Sequence, residues 1–177
     1  PEALPESVFR QVYQAYEAGL AAGNLVDFEG LIFNAVTLLR TDADVLEQVR
    51  QTYTHILVDE YQDLNLGQYE LTRLLAETGQ IAVIGDPDQA IYGFRGSDSR
   101  FFNAFCNDFP GAEKIVLTRN YRSVQTILDA SFQMISRSGK ERDRVRIYSD
   151  DSGGRRLIIK ENATEKAEAV GVCRMIE

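Results

Sequence analysis

The sequence predicts an α/β domain, a parallel sheet with flanking helices, and three observations carry that reading. Two short apolar runs, Ile56-Leu57-Val58 and Ile81-Ala82-Val83-Ile84, are too short for helices and each stops abruptly at polar residues. Roughly twenty residues with helical spacing separate them, enough for a right-handed crossover between parallel neighbours. A third run, Ile115-Val116-Leu117, also leads straight into a polar cluster. In an open α/β sheet the strand ends along one edge form the crevice where ligands bind.

The elements follow in order. Phe9, Val12, Tyr13 and Tyr16 recur at helical spacing over residues 5–23, and Gly23-Asn24 supplies a stop. Asp27 can cap a second helix whose apolar stripe is Phe28, Leu31, Ile32, Ala35, Leu38 and Leu39. Thr41 and Asp44 resemble a capping box for a short third helix. The first run is then a buried strand, closed by Asp59-Glu60-Tyr61-Gln62-Asp63. Leu71, Leu74 and Leu75 mark a helix ending near Gly79, and the second buried strand runs into Gly85-Asp86-Pro87-Asp88-Gln89. A loop, Ala90 to Gly96, precedes a helix around Arg100 to Asp108, and Pro110-Gly111 turns the chain into the third run. A helix with Ile127, Leu128, Phe132 and Ile135 comes next, then a charged, Ser- and Gly-rich excursion from Arg137 to Gly154. Leu157-Ile158-Ile159 reads as a strand, and Thr164 opens a last helix with Ala169, Val172, Cys173 and Ile176 on one face.

Composition narrows the function classes. The chain has 177 residues, 44% of them apolar, with a net charge of −8 and a pI near 4.8. Such a balance argues against holding nucleic acid by bulk electrostatics, so any contact must come from aromatic stacking and a few arginines. No window resembles a membrane span or a signal peptide, and a cytoplasmic protein is expected. Cys106 and Cys173 lack metal-ligand spacing and read as small core residues, while His55 reads as structural.

The strand ends collect Asp59 and Glu60, then Asp86 and Gln89, then Tyr121 and Arg122. Hydrolysis of a nucleoside triphosphate needs a carboxylate for Mg²⁺, an orienter or base for water, and a cation for developing phosphoryl charge. Asp59 suits the metal, Glu60 the water, Gln89 a γ-phosphate sensor and Arg122 the charge-stabilising finger, while Tyr121 offers a ring to a base. A metal-dependent nuclease using Asp59, Glu60, Asp63 and Asp86 is one rival, but it has no need of Gln89, Tyr121 or Arg122. A non-catalytic interaction module is the other.

Three stretches carry a specific resemblance. Val58-Asp59-Glu60-Tyr61-Gln62-Asp63, Gly85 through Gly96 (GDPDQAIYGFRG) and Leu117-Thr118-Arg119-Asn120-Tyr121-Arg122-Ser123 closely resemble motifs II, III and IV of the UvrD/Rep-like superfamily 1 DNA helicases. Val26-Asp27-Phe28 with Leu31 is similar to the short segment that precedes motif II, and the helix from Glu165 resembles the start of the second motor domain. The resemblance implies a partial RecA-like sheet in residues 53–140, a helical segment before it in 1–52, and a linker with the start of a second RecA-like domain in 141–177. It implies an ATP- and Mg²⁺-dependent 3′-to-5′ translocase on single-stranded DNA, with Tyr92, Phe94 and Arg95 touching the DNA while Gln89 on the same loop senses the γ-phosphate. Phe94 stands where many members carry tryptophan. No G-x-x-x-x-G-K-[ST] occurs, so the phosphate loop is expected upstream of Pro1 in a longer parent, and the chain by itself is expected to be inactive.

Overall fold

The computed structural model describes residues 5–76, 80–137, 145–154 and 156–176. The chain divides into two compact units, Pro1–Ala112 and Glu113–Glu177. Among the described residues it is a mixed helix and strand structure with seven α-helices and one small two-stranded parallel sheet.

The first unit begins with three helices. Helix α1, Glu6–Ala22, ends where Asn24 adopts a positive φ of 51°. Its predicted apolar stripe stays in solvent, with Phe9 and Val12 exposed. Helix α2, Phe28–Thr41, is capped by Asp27, which accepts from the Gly30 N–H at 2.7 Å and from the Tyr16 hydroxyl at 2.8 Å. Those hydrogen bonds, the tyrosine's first, hold the Asp27 carboxyl below its usual range. Helix α3, Ala43–Thr52, is capped differently from the expectation. Asp42 accepts from the N–H groups of Asp44 and Val45, whereas the Thr41 hydroxyl turns back to Thr37 O within α2. A carboxylate at the junction offers the free N–H groups a stronger acceptor than a hydroxyl that α2 already occupies.

Strand β1, His55–Val58, pairs in parallel with β2, Gln80–Val83, in the register Val58 to Val83. The crossover between them is helix α4, Leu66–Ala76, and the expected helix end near Gly79 lies outside the described residues. Helices α2 and α3 pack on α4, and Arg50 clamps the turn of α4 by donating twice to Leu74 O. The strands are not buried on both faces as their apolar runs suggest. Burial alternates along each, and Leu57 remains 81% exposed, because helices and loops cover only one side.

The covered side holds the core. Tyr61, Leu64 and Tyr69 are buried there, with Val58, Val83, Phe101, Phe102 and Phe105 packed on them. The three phenylalanines lie on α5, Ser99–Asp108, which Asp98 caps by accepting from the Arg100 N–H. Tyr69 stacks on Phe101 with centroids 4.3 Å apart, and Tyr61 meets Phe105 edge-on at 5.4 Å.

The second unit contains α6, Gln125–Ser136, and α7, Glu165–Ile176. Two expected strands do not form. Residues 115–117 and 157–159 carry no ladder, and Ile115, Leu117, Ile158 and Ile159 are exposed. A strand exists only through its partner, and apolar composition supplies none. The pairing that does form comes later, a lone parallel bridge between Arg119 and Tyr148 in which Tyr148 N–H donates to Thr118 O and Asn120 N–H donates to Tyr148 O. Thr164 does open α7, accepting from the Ala167 N–H at 3.1 Å, but none of the helix is buried. Cys106 and Cys173 are exposed rather than core residues: Cys106 falls on the solvent side of α5, and α7 buries none of its residues.

Candidate functional site

Backbone pairing carries β1 and β2 past their last ladder residues. Ile84 N–H donates to Val58 O at 2.8 Å and Tyr61 N–H to Ile84 O at 2.9 Å, so the polar segments after the two strands leave side by side. Asp59 and Glu60 stand at one end and Asp86 at the other. Asp59 is exposed and accepts from the Glu60 N–H through Oδ1 at 2.9 Å. Glu60 sits in the left-handed region, φ 50° and ψ 43°, and heads a 3-10 turn over Tyr61–Asp63. A side-chain-bearing residue adopts that conformation only where its surroundings impose it.

Gln62 joins the two ends. The residue is 1% exposed. Its Nε2 donates to Glu60 Oε2 at 2.7 Å, and its Oε1 accepts from the Asp86 N–H at 3.0 Å. Gly85 makes room for it, since a Cβ there would lie 2.6 Å from Gln62 Oε1 and 2.8 Å from Phe102 Cε2. Asp86 caps the following turn, Pro87–Gln89, by accepting from the Asp88 N–H, and its Oδ2 accepts from Gln89 Nε2 at 2.7 Å.

The loop then turns through Gly93–Arg95, closed by Arg95 N–H donating to Tyr92 O and by Gly96 at φ 80°. Phe94 is 79% exposed, and the Arg95 guanidinium carbon lies 5.5 Å from the Tyr92 ring centroid and 5.6 Å from that of Phe94. Tyr92 and Arg95, with Asp63, Asn65 and Gln68, line a cleft of about 250 Å³. An antiparallel bridge from Asn65 to Ser97 fixes the returning end of the loop.

In the second unit, the Asn120 side chain accepts from the N–H groups of Arg122 and Ser123, a tight turn that leaves both Tyr121 and Arg122 exposed. Arg119 pairs with Asp150 and stands 5.0 Å from the Tyr121 centroid.

Residues 2–110 match the family model of the UvrD/REP helicase N-terminal domain. The chain belongs to the UvrD/REP helicase family. It is 41% identical over 150 residues to DNA helicase II of Escherichia coli (strain K12), covering 84% of this chain and 21% of that protein. Over 166 residues it is 38% identical to the ATP-dependent DNA helicase PcrA of Staphylococcus aureus (strain Mu50), covering 93% of the chain and 23% of the relative. DNA helicase II of Salmonella typhimurium is 44% identical over 131 residues, 73% of the chain and 18% of the relative. The chain thus spans about a fifth of the length of these curated relatives.

Within this UvrD/REP family chain, the first unit brings Asp59, Glu60 and Gln89 into one hydrogen-bonded neighbourhood and sets Tyr92, Phe94 and Arg95 on the loop that continues from it. Tyr121 and Arg122 belong to the second unit. Sequence reasoning gave no role to Gln62. The signal available was its place three residues after Asp59, but an amide inside a polar cluster reads as solvated, and only pairing of the strand ends buries it. Among the described residues, no three His, Cys, Asp or Glu side chains are grouped to cage a metal ion.

Proposed function

We propose that this chain is part of an ATP-dependent DNA helicase that translocates 3′ to 5′ along single-stranded DNA, and that it requires the rest of the parent protein for activity. The observation that supports this best is the side-by-side exit of β1 and β2, which sets Asp59 and Glu60 beside Asp86 and Gln89 through one buried amide. Family membership and relatives named as DNA helicases point the same way. We assign residues 1–52 to the end of an inserted helical subdomain, 53–140 to a RecA-like motor core and 141–177 to a linker and the start of a second RecA-like domain. No helix among the described residues is long and apolar enough to cross a membrane. As a relative of DNA helicases, the parent is assigned to the cytoplasm.

The donor set fits Mg²⁺. Asp59 presents an exposed carboxylate with one oxygen engaged by a backbone N–H, and a single carboxylate suits an ion that keeps most of its water shell. The bound ion would neutralise charge on the β- and γ-phosphates. Glu60 orients the attacking water and accepts its proton. We assign Gln89, whose amide donates to Asp86 Oδ2, as the γ-phosphate sensor; in the second unit we assign Arg122 to the charge that develops in the transition state and Tyr121 to stacking on the base. Tyr92, Phe94 and Arg95 supply stacking and a local cation to DNA on a chain whose net charge is −8. A two-metal nuclease would have no need of Gln89, Tyr121 or Arg122.

The test is ATP hydrolysis by the intact parent and by this chain, each with and without single-stranded DNA and Mg²⁺. The parent should hydrolyse ATP in a DNA-stimulated manner and the chain alone should not. Mg²⁺-dependent cleavage of single-stranded DNA without ATP would refute the assignment.

A further inference from the structure

We infer that Gln62 is a positioning residue that sets the Glu60 carboxylate and ties it to the turn bearing Gln89. The inference rests on the ATPase reading above and adds a residue to it.

The orientation of the Gln62 amide is dictated from one side. The Asp86 N–H can only donate, so the atom facing it at 3.0 Å must be the amide oxygen. The NH₂ group therefore faces the carboxylates, donating to Glu60 Oε2 at 2.7 Å with Asp63 Oδ2 at 3.5 Å. Burial prevents the amide from relaxing toward water, since only 1% of the residue is exposed. Gly85 closes the other side, where a Cβ would stand 2.6 Å from Oε1.

Glu60 needs such a partner. Its backbone holds a left-handed conformation at φ 50° and heads the 3-10 turn that carries Gln62. The Gln62 amide engages Oε2, and among the described residues no hydrogen bond is made to Oε1. The chain of hydrogen bonds continues through Asp86 Oδ2 to Gln89 Nε2 at 2.7 Å. A displacement of the turn at Gln89 thus reaches the Glu60 carboxylate through a single buried amide.

The test uses two substitutions in the intact parent. Gln62→Glu keeps an oxygen toward the Asp86 N–H but replaces the donor facing Glu60 with a carboxylate oxygen. Gln62→Met keeps the bulk and loses both contacts. Each should lower kcat for DNA-stimulated ATP hydrolysis by about tenfold or more while KM for ATP stays within about threefold. In a Glu60→Gln background, where the group being positioned is already lost, either substitution should cost nothing further in single-turnover hydrolysis. A kcat within about threefold of wild type for both variants would overturn the assignment, as would a loss that persists undiminished beside Glu60→Gln. Loss of ATP binding together with hydrolysis would mark Gln62 as scaffold and overturn it equally. If the wild-type parent itself shows no DNA-stimulated hydrolysis, the ATPase reading falls; an active wild type with indifferent variants refutes this assignment alone.

Discussion

The Arg95 guanidinium carbon lies 5.6 Å from the centroid of the Phe94 ring, and that ring is 79% exposed. An aromatic side chain anchoring its loop on the sheet would be covered; this one is held by a cation and left open to solvent. Phe94→Ala in the parent should therefore weaken single-stranded DNA binding roughly five- to two-hundredfold, the worth of one stacked base. The melting temperature should scarcely move, because little apolar surface is uncovered. Binding isotherms and a thermal melt on the same variant decide between the roles, and a large fall in melting temperature with unaltered DNA affinity would refute the DNA contact.

Glu60→Gln should preserve ATP binding and abolish most hydrolysis, with kcat falling by about 10²- to 10⁴-fold. The amide keeps the size of the carboxylate but cannot accept a proton from water. Filter binding of ATP beside steady-state phosphate release separates the two effects, and undiminished turnover would remove Glu60 from the mechanism.

Arg122 is exposed, with its backbone N–H fixed by Asn120. A surface arginine contributes almost nothing to stability, whereas one acting on transition-state charge is worth ~10³ or more in rate. Arg122→Ala should accordingly cut kcat on that scale without altering the melting temperature. Turnover within about threefold of wild type would show that the guanidinium does not meet the phosphates.

Tyr61 gives a prediction about pH. Its side chain is fully buried, and its hydroxyl has no hydrogen-bond partner among the described residues. Burial pushes the phenol from its ordinary 10.0 up to about 12. Between those values the folded chain keeps a proton that the unfolded chain has released, so stability falls as pH rises. The contribution is complete below about pH 10 and lost by about pH 12, roughly 2 to 3 kcal/mol in all. Tyr61→Phe should be at least as stable as wild type near neutrality, since it removes an unpaired buried hydroxyl, and should lose less stability on alkaline titration. Urea midpoints from pH 8 to pH 11.5 test this; parallel losses in the two proteins would contradict it.

Local signals were enough for the first unit's skeleton. Asp27 before an apolar stripe marks the start of α2, and two short apolar runs separated by a helical stretch give β1, β2 and their parallel sense. The acidic and amide residues after those runs were legible as a candidate site because parallel strands bring their ends to one edge. Side-chain spacing within a helix or strand repeats at fixed intervals, so these features are written in nearest neighbours along the chain.

What tertiary structure decided lies where a residue's partner is remote in sequence. Ile115-Val116-Leu117 and Leu157-Ile158-Ile159 have strand composition but no ladder, because pairing requires a second backbone that composition cannot supply. Cys106 and Cys173 have core-like chemistry but fall on exposed helix faces. Gln62 shows the converse. Its polar neighbours suggest solvent, yet the approach of Gly85, twenty-three positions later, buries it and gives its amide two partners on different strand ends. Burial and hydrogen-bond satisfaction are properties of the packed chain, which is why the amide joining the two halves of the site became visible only in three dimensions.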